Sequence, residues 1–125
     1  MNSIKVSIVI PNYNKATRLR QCLTSLLGQT HRNLEIILVD DGSSDESLVV
    51  AKQLAVADCR LCVYDRPHEG KLAAINFGMS QATGDWRKLH GSDDELVPTA
   101  IAEALECASS DVLIHNSRLL YPHGV

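Results

Sequence analysis

Three polar clusters in this sequence each follow an apolar run, and their side chains could bind a ligand. They are Pro11 to Asn14, Asp40 to Asp45 and Ser92 to Asp94. Adjacent carboxylates such as Asp40 and Asp41 repel each other unless a cation or hydrogen-bond donors compensate their charge. Mg²⁺ and Mn²⁺ bind carboxylate oxygens and leave coordination positions open for phosphate. The clusters therefore favour a site for a phosphorylated ligand and a divalent metal, Mn²⁺ or Mg²⁺.

Both acidic clusters also fit the start of a helix. Ser43 to Glu46 and Ser92 to Glu95 have the spacing of a capping box, whose side chains satisfy N–H groups of the first helical turn. We assign Ser43 to Glu46 mostly to capping, whereas Asp40 and Asp41 precede that box and are not explained by it. Ser92 to Glu95 is equally consistent with capping and with ligand binding.

Other chemical motifs are weaker. Cys59 and Cys62 have the spacing of a metal or redox pair, but no second pair exists and Cys62 falls in an apolar run, so we favour packing. The glycine patterns of dinucleotide dehydrogenases and P-loop enzymes are absent, which excludes both classes. His90 lies next to the third polar cluster and could contact phosphate or metal, although a lone histidine on a strand is more often structural.

Alternating strand and helix patterns place these clusters. Apolar runs typical of buried strands begin about every 25 to 30 residues, near Ile4, Leu34, Leu61, Trp86 and Val112. Segments with helical periodicity lie between them, at Leu19 to Leu27, Leu48 to Ala55, Leu72 to Met79 and Ile101 to Ala108. This order predicts a three-layer α/β/α fold with a mainly parallel sheet, in which ligands bind beyond the carboxyl ends of the strands.

The fourth predicted strand is unusual. Trp86 to Leu89 places Arg87 and Lys88 where a buried strand should be apolar. We therefore expect this strand either to lie near an edge of the sheet or to contribute side chains to the site.

Length, composition and charge narrow the classes of function. The 125 residues, 45% hydrophobic and 22% charged, suit one globular domain over residues 1–125. The formal charge of -3 gives no electrostatic footprint for nucleic acid, so we expect no nucleic-acid partner. No apolar run reaches the roughly 18 residues of a membrane span, and a signal peptide's apolar region is missing. We therefore expect a cytoplasmic protein without a transmembrane segment.

Several segments together form a more specific pattern. They are Val6 to Asn14, Leu23 to Thr30, Leu38 to Asp45, Glu69 to Asn76, Gly84 to Trp86 and Ser92 to Asp94, followed by Pro98. In order and spacing they resemble the N-terminal, nucleotide-sugar-binding half of family 2 glycosyltransferases with the GT-A fold. The resemblance covers essentially the whole chain. It implies a Rossmann-like nucleotide-diphospho-sugar transferase fold, truncated here because the acceptor-side C-terminal part has no counterpart.

The resemblance also implies roles for individual residues. It places the nucleoside of a nucleoside diphosphate sugar near the first two clusters, the ribose at Asp93 and a divalent metal at Asp94. The donor-binding residues implied in this way are Pro11, Asn12, Tyr13, Asp40, Asp41, Lys71, Asn76 and Asp93. The family's catalytic base belongs to a later motif, so no residue of this chain is assigned that role.

Two positions depart from the family pattern. Gly91 stands where many relatives have the first aspartate of a DxDD motif, and we expect lower metal affinity as a result. Ile75 stands where an arginine is common, so Lys71 or Arg87 would have to take over its contact.

The expected function is sugar transfer from a nucleoside diphosphate sugar to a glycan or lipid-linked acceptor, with inversion, in cell-surface polysaccharide synthesis. A lipid-linked acceptor would bring the protein to the inner face of the membrane as a peripheral protein. Apolar surface left by the missing part would favour a homodimer. The alternative is a catalytically inactive nucleotide-binding remnant or an interaction module, which the length favours while the motifs favour the enzyme.

Overall fold

The computed structural model describes residues 4–106, 113–115 and 118–122 of the chain. Its strands are β1 (Val6–Asn12), β2 (Leu34–Asp41), β3 (Leu61–Arg66), β4 (Trp86–Leu89), β5 (Leu113–His115) and β6 (Arg118–Pro122). Its helices are α1 (Ala16–Leu27), α2 (Ser47–Ala57), α3 (Lys71–Gln81) and α4 (Ala100–Glu106). The predicted alternation of strands and helices is confirmed.

One six-stranded sheet organises the fold, in the order β3-β2-β1-β4-β6-β5. The first four strands pair in parallel, whereas β6 pairs antiparallel with both β4 and β5. The mainly parallel sheet is therefore confirmed. We expected the fourth strand either to lie near an edge of the sheet or to contribute side chains to the site; β4 is not an edge strand, because β6 pairs with its outer side. The fifth predicted strand is β5, and Val112, where we expected it to begin, lies outside the described residues.

Helices cover both faces of the sheet and complete the three layers. Side chains of α1, α2 and α4 pack in one core with alternate residues of β1 and β2, among them Ile8 and Ile36. The other alternate residues, Val9, Ile37 and Val39, pack against α3 on the opposite face. Burial on both faces explains why β1 and β2 are almost continuously apolar in sequence.

Neither predicted capping box starts a helix. α2 begins at Ser47, where the Asp45 carboxylate accepts hydrogen bonds from the Ser47 N–H (2.9 Å) and hydroxyl (2.5 Å). Ser43 instead donates from its N–H and its hydroxyl to Asp40. Ser92 lies in a turn, and α4 begins only at Ala100. The assignment of Ser43 to Glu46 to capping is therefore wrong, because Ser43 is bound to Asp40, and the capping alternative for Ser92 to Glu95 does not hold either.

None of the helices in the described part of the chain combines the length and apolar character that a bilayer crossing requires.

A glycine sets the distance between α3 and the sheet. A Cβ atom at Gly78 would lie 2.4 Å from Val9 Cγ1 and 3.1 Å from Val39 Cγ2. Contacts that short require the helix or the strands to move, so the close approach of α3 depends on the missing side chain.

We expect Gly78→Ala to destabilise the fold, although alanine is the better helix former by about 1 kcal/mol. Overpacking of a filled core costs about 1 to 3 kcal/mol, which exceeds that gain. Urea denaturation measures the change in the free energy of unfolding. Ser80→Ala, at an exposed position of the same helix, is the control and should change it by less than about 0.5 kcal/mol. A Gly78→Ala protein as stable as the wild type would contradict this account of the packing.

Candidate functional site

A cavity of about 370 Å³ opens where β1, β2 and β4 end. Parallel strands bring these carboxyl ends to one rim, so the three polar clusters meet there as expected. The cavity is lined by Pro11, Asn12, Tyr13, Lys15, Asp41, Lys71, Gly91, Ser92 and Asp93. Six residues implied by the resemblance line it: Pro11, Asn12, Tyr13, Asp41, Lys71 and Asp93. The other three, Asp40, Asn76 and Asp94, do not.

Asp40 lies beneath the cavity, and its carboxylate is engaged by the protein. Its Oδ1 atom accepts hydrogen bonds from Asn12 Nδ2 (2.9 Å) and from the Ser43 hydroxyl (2.8 Å), and its Oδ2 atom accepts from the Ser43 N–H (2.9 Å). Asp40 is fully buried, and these donors offset the cost of burying its charge. Its side chain therefore ties the ends of β1 and β2 together.

Asp41 points into the loop that follows β3. Its Oδ1 atom accepts hydrogen bonds from the N–H groups of Glu69 (2.8 Å) and Gly70 (3.3 Å), which precede α3. Its Oδ2 atom lies 3.2 Å from His68 Nδ1. The carboxylate thus anchors the loop that carries Lys71 to the cavity, and it remains at the cavity wall itself.

His68, which the sequence analysis did not assign, supports the aromatic wall of the cavity. Its ring stacks on Tyr13, with ring centroids 4.4 Å apart and planes 28° apart. Gly42 permits this approach, because its φ is +68° and a Cβ atom there would lie 2.7 Å from the His68 backbone nitrogen. Tyr13 remains 45% exposed, so ring surface is left for a ligand. No spacing in the sequence indicated this contact, which depends on how β1 and the β3 loop pack.

The acidic turn, defined here as Gly91 to Asp94, closes the other side of the cavity. Asp93 and Asp94 are both exposed, and Asp93 Oδ2 lies 3.9 Å from the Lys15 ammonium across the opening. An exposed pair at that distance contributes little stability and can be exchanged for a ligand. A Cβ atom at Gly91 would lie 2.7 Å from Asp94 Oδ2, so the glycine makes room for that carboxylate.

Helix α1 holds the acidic turn from below. The Asp94 N–H donates to the Gly91 carbonyl (3.2 Å), and Cys22 Sγ lies 3.5 Å from the same oxygen. Just after the turn, the Leu96 N–H donates to the Ser25 hydroxyl (3.1 Å). Burial, followed by the nearby Asp94 charge, raises the pKa of the Cys22 thiol to about 12. Cys22 therefore keeps its proton and can donate to the turn.

The structure does not bring the remaining candidate residues together as a metal site. Asn76 is exposed on α3 and does not reach the cavity wall. Cys59 is exposed and Cys62 is half-buried, both as free thiols. Within the residues that the structure describes, no group of three or more His, Cys, Asp or Glu side chains is placed to hold a metal ion. A metal at the acidic turn would need ligand atoms from a bound molecule or water.

The chain matches a known protein family over most of its length. The model of the family described as Glycosyl transferase family 2 matches residues 7–115. The uncharacterized glycosyltransferase YibD of Escherichia coli is 37% identical over 114 residues, which are 90% of this chain and 33% of YibD. This chain thus spans about a third of that relative's length.

Two solved structures share the fold. The mannosyltransferase PcManGT from Pyrobaculum calidifontis, in complex with GDP-Man and Mn²⁺, superposes with a TM-score of 0.81 at 23% identity, covering 90% of this chain and 34% of that one. Residues 1-349 of S. aureus TarS, in complex with UDP-GlcNAc, give a TM-score of 0.71 at 26% identity, covering 82% of this chain and 30% of that one. The GT-A fold expected from the sequence is confirmed.

We expect the described thiols to react with iodoacetamide in the order of their exposure. At about pH 8 the buried Cys22 is fully protonated and shielded, so native protein should leave it unmodified while Cys59 reacts readily. Mass spectrometry of peptides from timed reactions measures this, and unfolding in urea should expose Cys22 to labelling. Equal labelling rates of Cys22 and Cys59 in the native protein would contradict the packing of α1 beneath the acidic turn.

Proposed function

Because the chain belongs to glycosyl transferase family 2, we propose that it carries the part of a glycosyltransferase that binds a nucleoside diphosphate sugar. The observation that carries the proposal is the cavity at the strand ends, which combines the exposed ring of Tyr13, the cation Lys71 and the carboxylates Asp41 and Asp93. The donors named for the two structural neighbours, GDP-Man and UDP-GlcNAc, belong to this chemical class.

Each group of the cavity suits one part of such a donor. The exposed face of Tyr13 offers a stacking surface for a nucleobase. The Asp93 carboxylate can accept hydrogen bonds from ribose hydroxyls once its weak pairing with Lys15 is exchanged. Lys71 begins α3, so its ammonium and the positive end of the helix both favour the diphosphate. Asp40 acts indirectly in this proposal, by holding Asn12 at the cavity wall.

A divalent metal, Mn²⁺ or Mg²⁺, fits the acidic turn if the donor supplies most of its ligands. Such ions in phosphate sites often take one or two carboxylates and complete their coordination with phosphate oxygens and water. The exposed Asp94 carboxylate can serve as that protein ligand, and Gly91 leaves it space. When bound, the metal would neutralise charge that develops on the departing diphosphate.

The transfer itself needs a further group. Inverting transfer requires a general base that takes the proton of the acceptor hydroxyl as the sugar moves. We assign no described residue that role, and we propose that it comes from sequence equivalent to the remaining two thirds of the relatives. The acceptor that we propose is a glycan or a lipid-linked sugar in cell-surface polysaccharide synthesis. Such an acceptor would place the protein at the inner face of the membrane, with homodimers as the proposed assembly.

One observation favours a second candidate, a catalytically inactive nucleotide-binding remnant or interaction module. Gly91 removes one acid from the turn, which leaves Asp93 and Asp94 as its acidic side chains. A remnant of this kind would bind the nucleotide equally well with and without a metal, whereas the enzyme would bind it more tightly with the metal.

The test is a calorimetric titration of the chain with UDP, GDP and dTDP, each with and without Mn²⁺. We expect one nucleotide to bind, and to bind more tightly with Mn²⁺. Nucleotide binding with the same affinity in the presence and absence of Mn²⁺ would support the inactive remnant or interaction module. Absence of binding to all three, by protein that circular dichroism shows to be folded, would contradict the proposal for this chain.

We expect Asp94→Ala to weaken Mn²⁺-dependent nucleotide binding more than tenfold, or by over about 1.4 kcal/mol, because it removes the proposed metal ligand. Glu95→Ala is the matched control, because Glu95 is the next exposed carboxylate along the chain. Its Oε2 atom lies 3.9 Å from Arg18 Nη2. The same calorimetric titration measures both variants. Equal affinities of the two variants would contradict the metal assignment.

A further inference from the structure

Strand β4 and the residue after it bury two basic side chains directly below the acidic turn. Lys88 is 1% exposed and His90 is 2% exposed. Burial of an ammonium group is costly unless hydrogen bonds compensate it, and an apolar side chain at this position would carry no such cost. A lysine in the centre of the sheet therefore calls for a functional explanation.

Hydrogen bonds connect these two side chains to the acidic turn. Lys88 Nζ lies 2.9 Å from His90 Nδ1 and 3.4 Å from the Leu89 carbonyl oxygen. On the other side of the same ring, His90 Nε2 lies 3.1 Å from the Asp94 carbonyl oxygen. The three groups thus form a chain that runs from the middle of β4 to the main chain of Asp94.

The chemistry of the groups determines which atom donates and which accepts in each of these hydrogen bonds. A carbonyl oxygen can only accept, so the hydrogen bond to Asp94 requires the proton on His90 Nε2. A neutral imidazole then accepts at Nδ1, where the Lys88 amine donates. This tautomer follows from the partners on the two sides of the ring.

This series of hydrogen bonds supports the main chain of the acidic turn, which determines where the two carboxylates lie. Because the side chains of Asp93 and Asp94 are exposed, their placement depends on the main chain that carries them. That main chain is held at Gly91 by Cys22 and at Asp94 by His90. Mutation of the partners that orient a metal ligand typically lowers metal affinity by about 10- to 100-fold.

We infer that Lys88 and His90 are positioning residues that hold the acidic turn in the geometry needed for metal-dependent binding of the donor diphosphate. The inference rests on the proposed function of that turn. Neither side chain lines the cavity, so both act through the Asp94 main chain.

The first test compares His90→Leu with His90→Gln in calorimetric titrations of the nucleotide that binds among UDP, GDP and dTDP. His90→Leu should lower the Mn²⁺-dependent affinity about tenfold or more and leave the metal-free affinity unchanged. His90→Gln should restore it, because the glutamine amide can donate to the Asp94 carbonyl and accept from Lys88. Leu89→Ala is the matched control, since Leu89 is the neighbour of His90 in the chain and its side chain is 40% exposed.

The second test is independent of any nucleotide. Nitrogen-15 spectra of the histidine rings should show His90 as the Nε2–H tautomer, with its signals identified by their loss in His90→Gln. Lys88→Met removes the donor to Nδ1, whereas the Asp94 carbonyl still requires the proton on Nε2, so the tautomer should persist while the Nδ1 signal shifts. A wild-type ring that carries its proton on Nδ1 and not on Nε2, or an Nδ1 signal that does not shift in Lys88→Met, would overturn the inference.

The outcomes separate this inference from the proposed function. If a nucleotide binds and His90→Leu retains its full dependence on Mn²⁺, the positioning role is wrong while the nucleotide site stands. If no nucleotide binds to the folded wild-type chain, the proposed function fails and the role in donor binding fails with it, whatever the tautomer.

Discussion

The hydrogen bond between Asn12 Nδ2 and Asp40 Oδ1 joins the ends of the two central strands, and the shape of the rim depends on it. The two residues are direct partners in the parallel register of β1 and β2. Asp40 also fixes Ser43, whose hydroxyl accepts the Asn14 N–H at 2.9 Å. A buried carboxylate is tolerated only while such donors surround it, so this one group sets the path of both loops that leave the strands.

The adjacent acids Asp40 and Asp41 coexist because strand geometry sends them to opposite faces. Successive side chains of a strand alternate, so Asp40 follows Leu38 toward the α1 face and Asp41 follows Val39 toward the α3 face. Donors within the protein satisfy each one separately. The repulsion that suggested a shared cation is thus relieved by hydrogen bonds at this strand end, which is why the metal is proposed at the acidic turn after β4.

The features that follow from residue periodicity could be predicted from the sequence. Those that depend on which strands and loops lie side by side could not. Apolar runs located β1 to β4, and polar residues at their ends located the cavity. The antiparallel β6 was not predicted, because its position beside β4 depends on a partner and not on its own pattern. His68 was not assigned for a similar reason, since its contacts with Tyr13 and Asp41 arise when separate loops meet. Ser43 was misassigned because the capping pattern ignores a competing carboxylate.

The small number of protein ligands at the acidic turn has a consequence for the free energies of metal and nucleotide binding. If a metal takes Asp94 from the protein and the rest of its ligands from a diphosphate and water, neither partner binds strongly without the other. Linkage then requires that the nucleotide strengthen metal binding by the same factor as the metal strengthens nucleotide binding. A turn with two acids is therefore suited to binding the metal and the donor together.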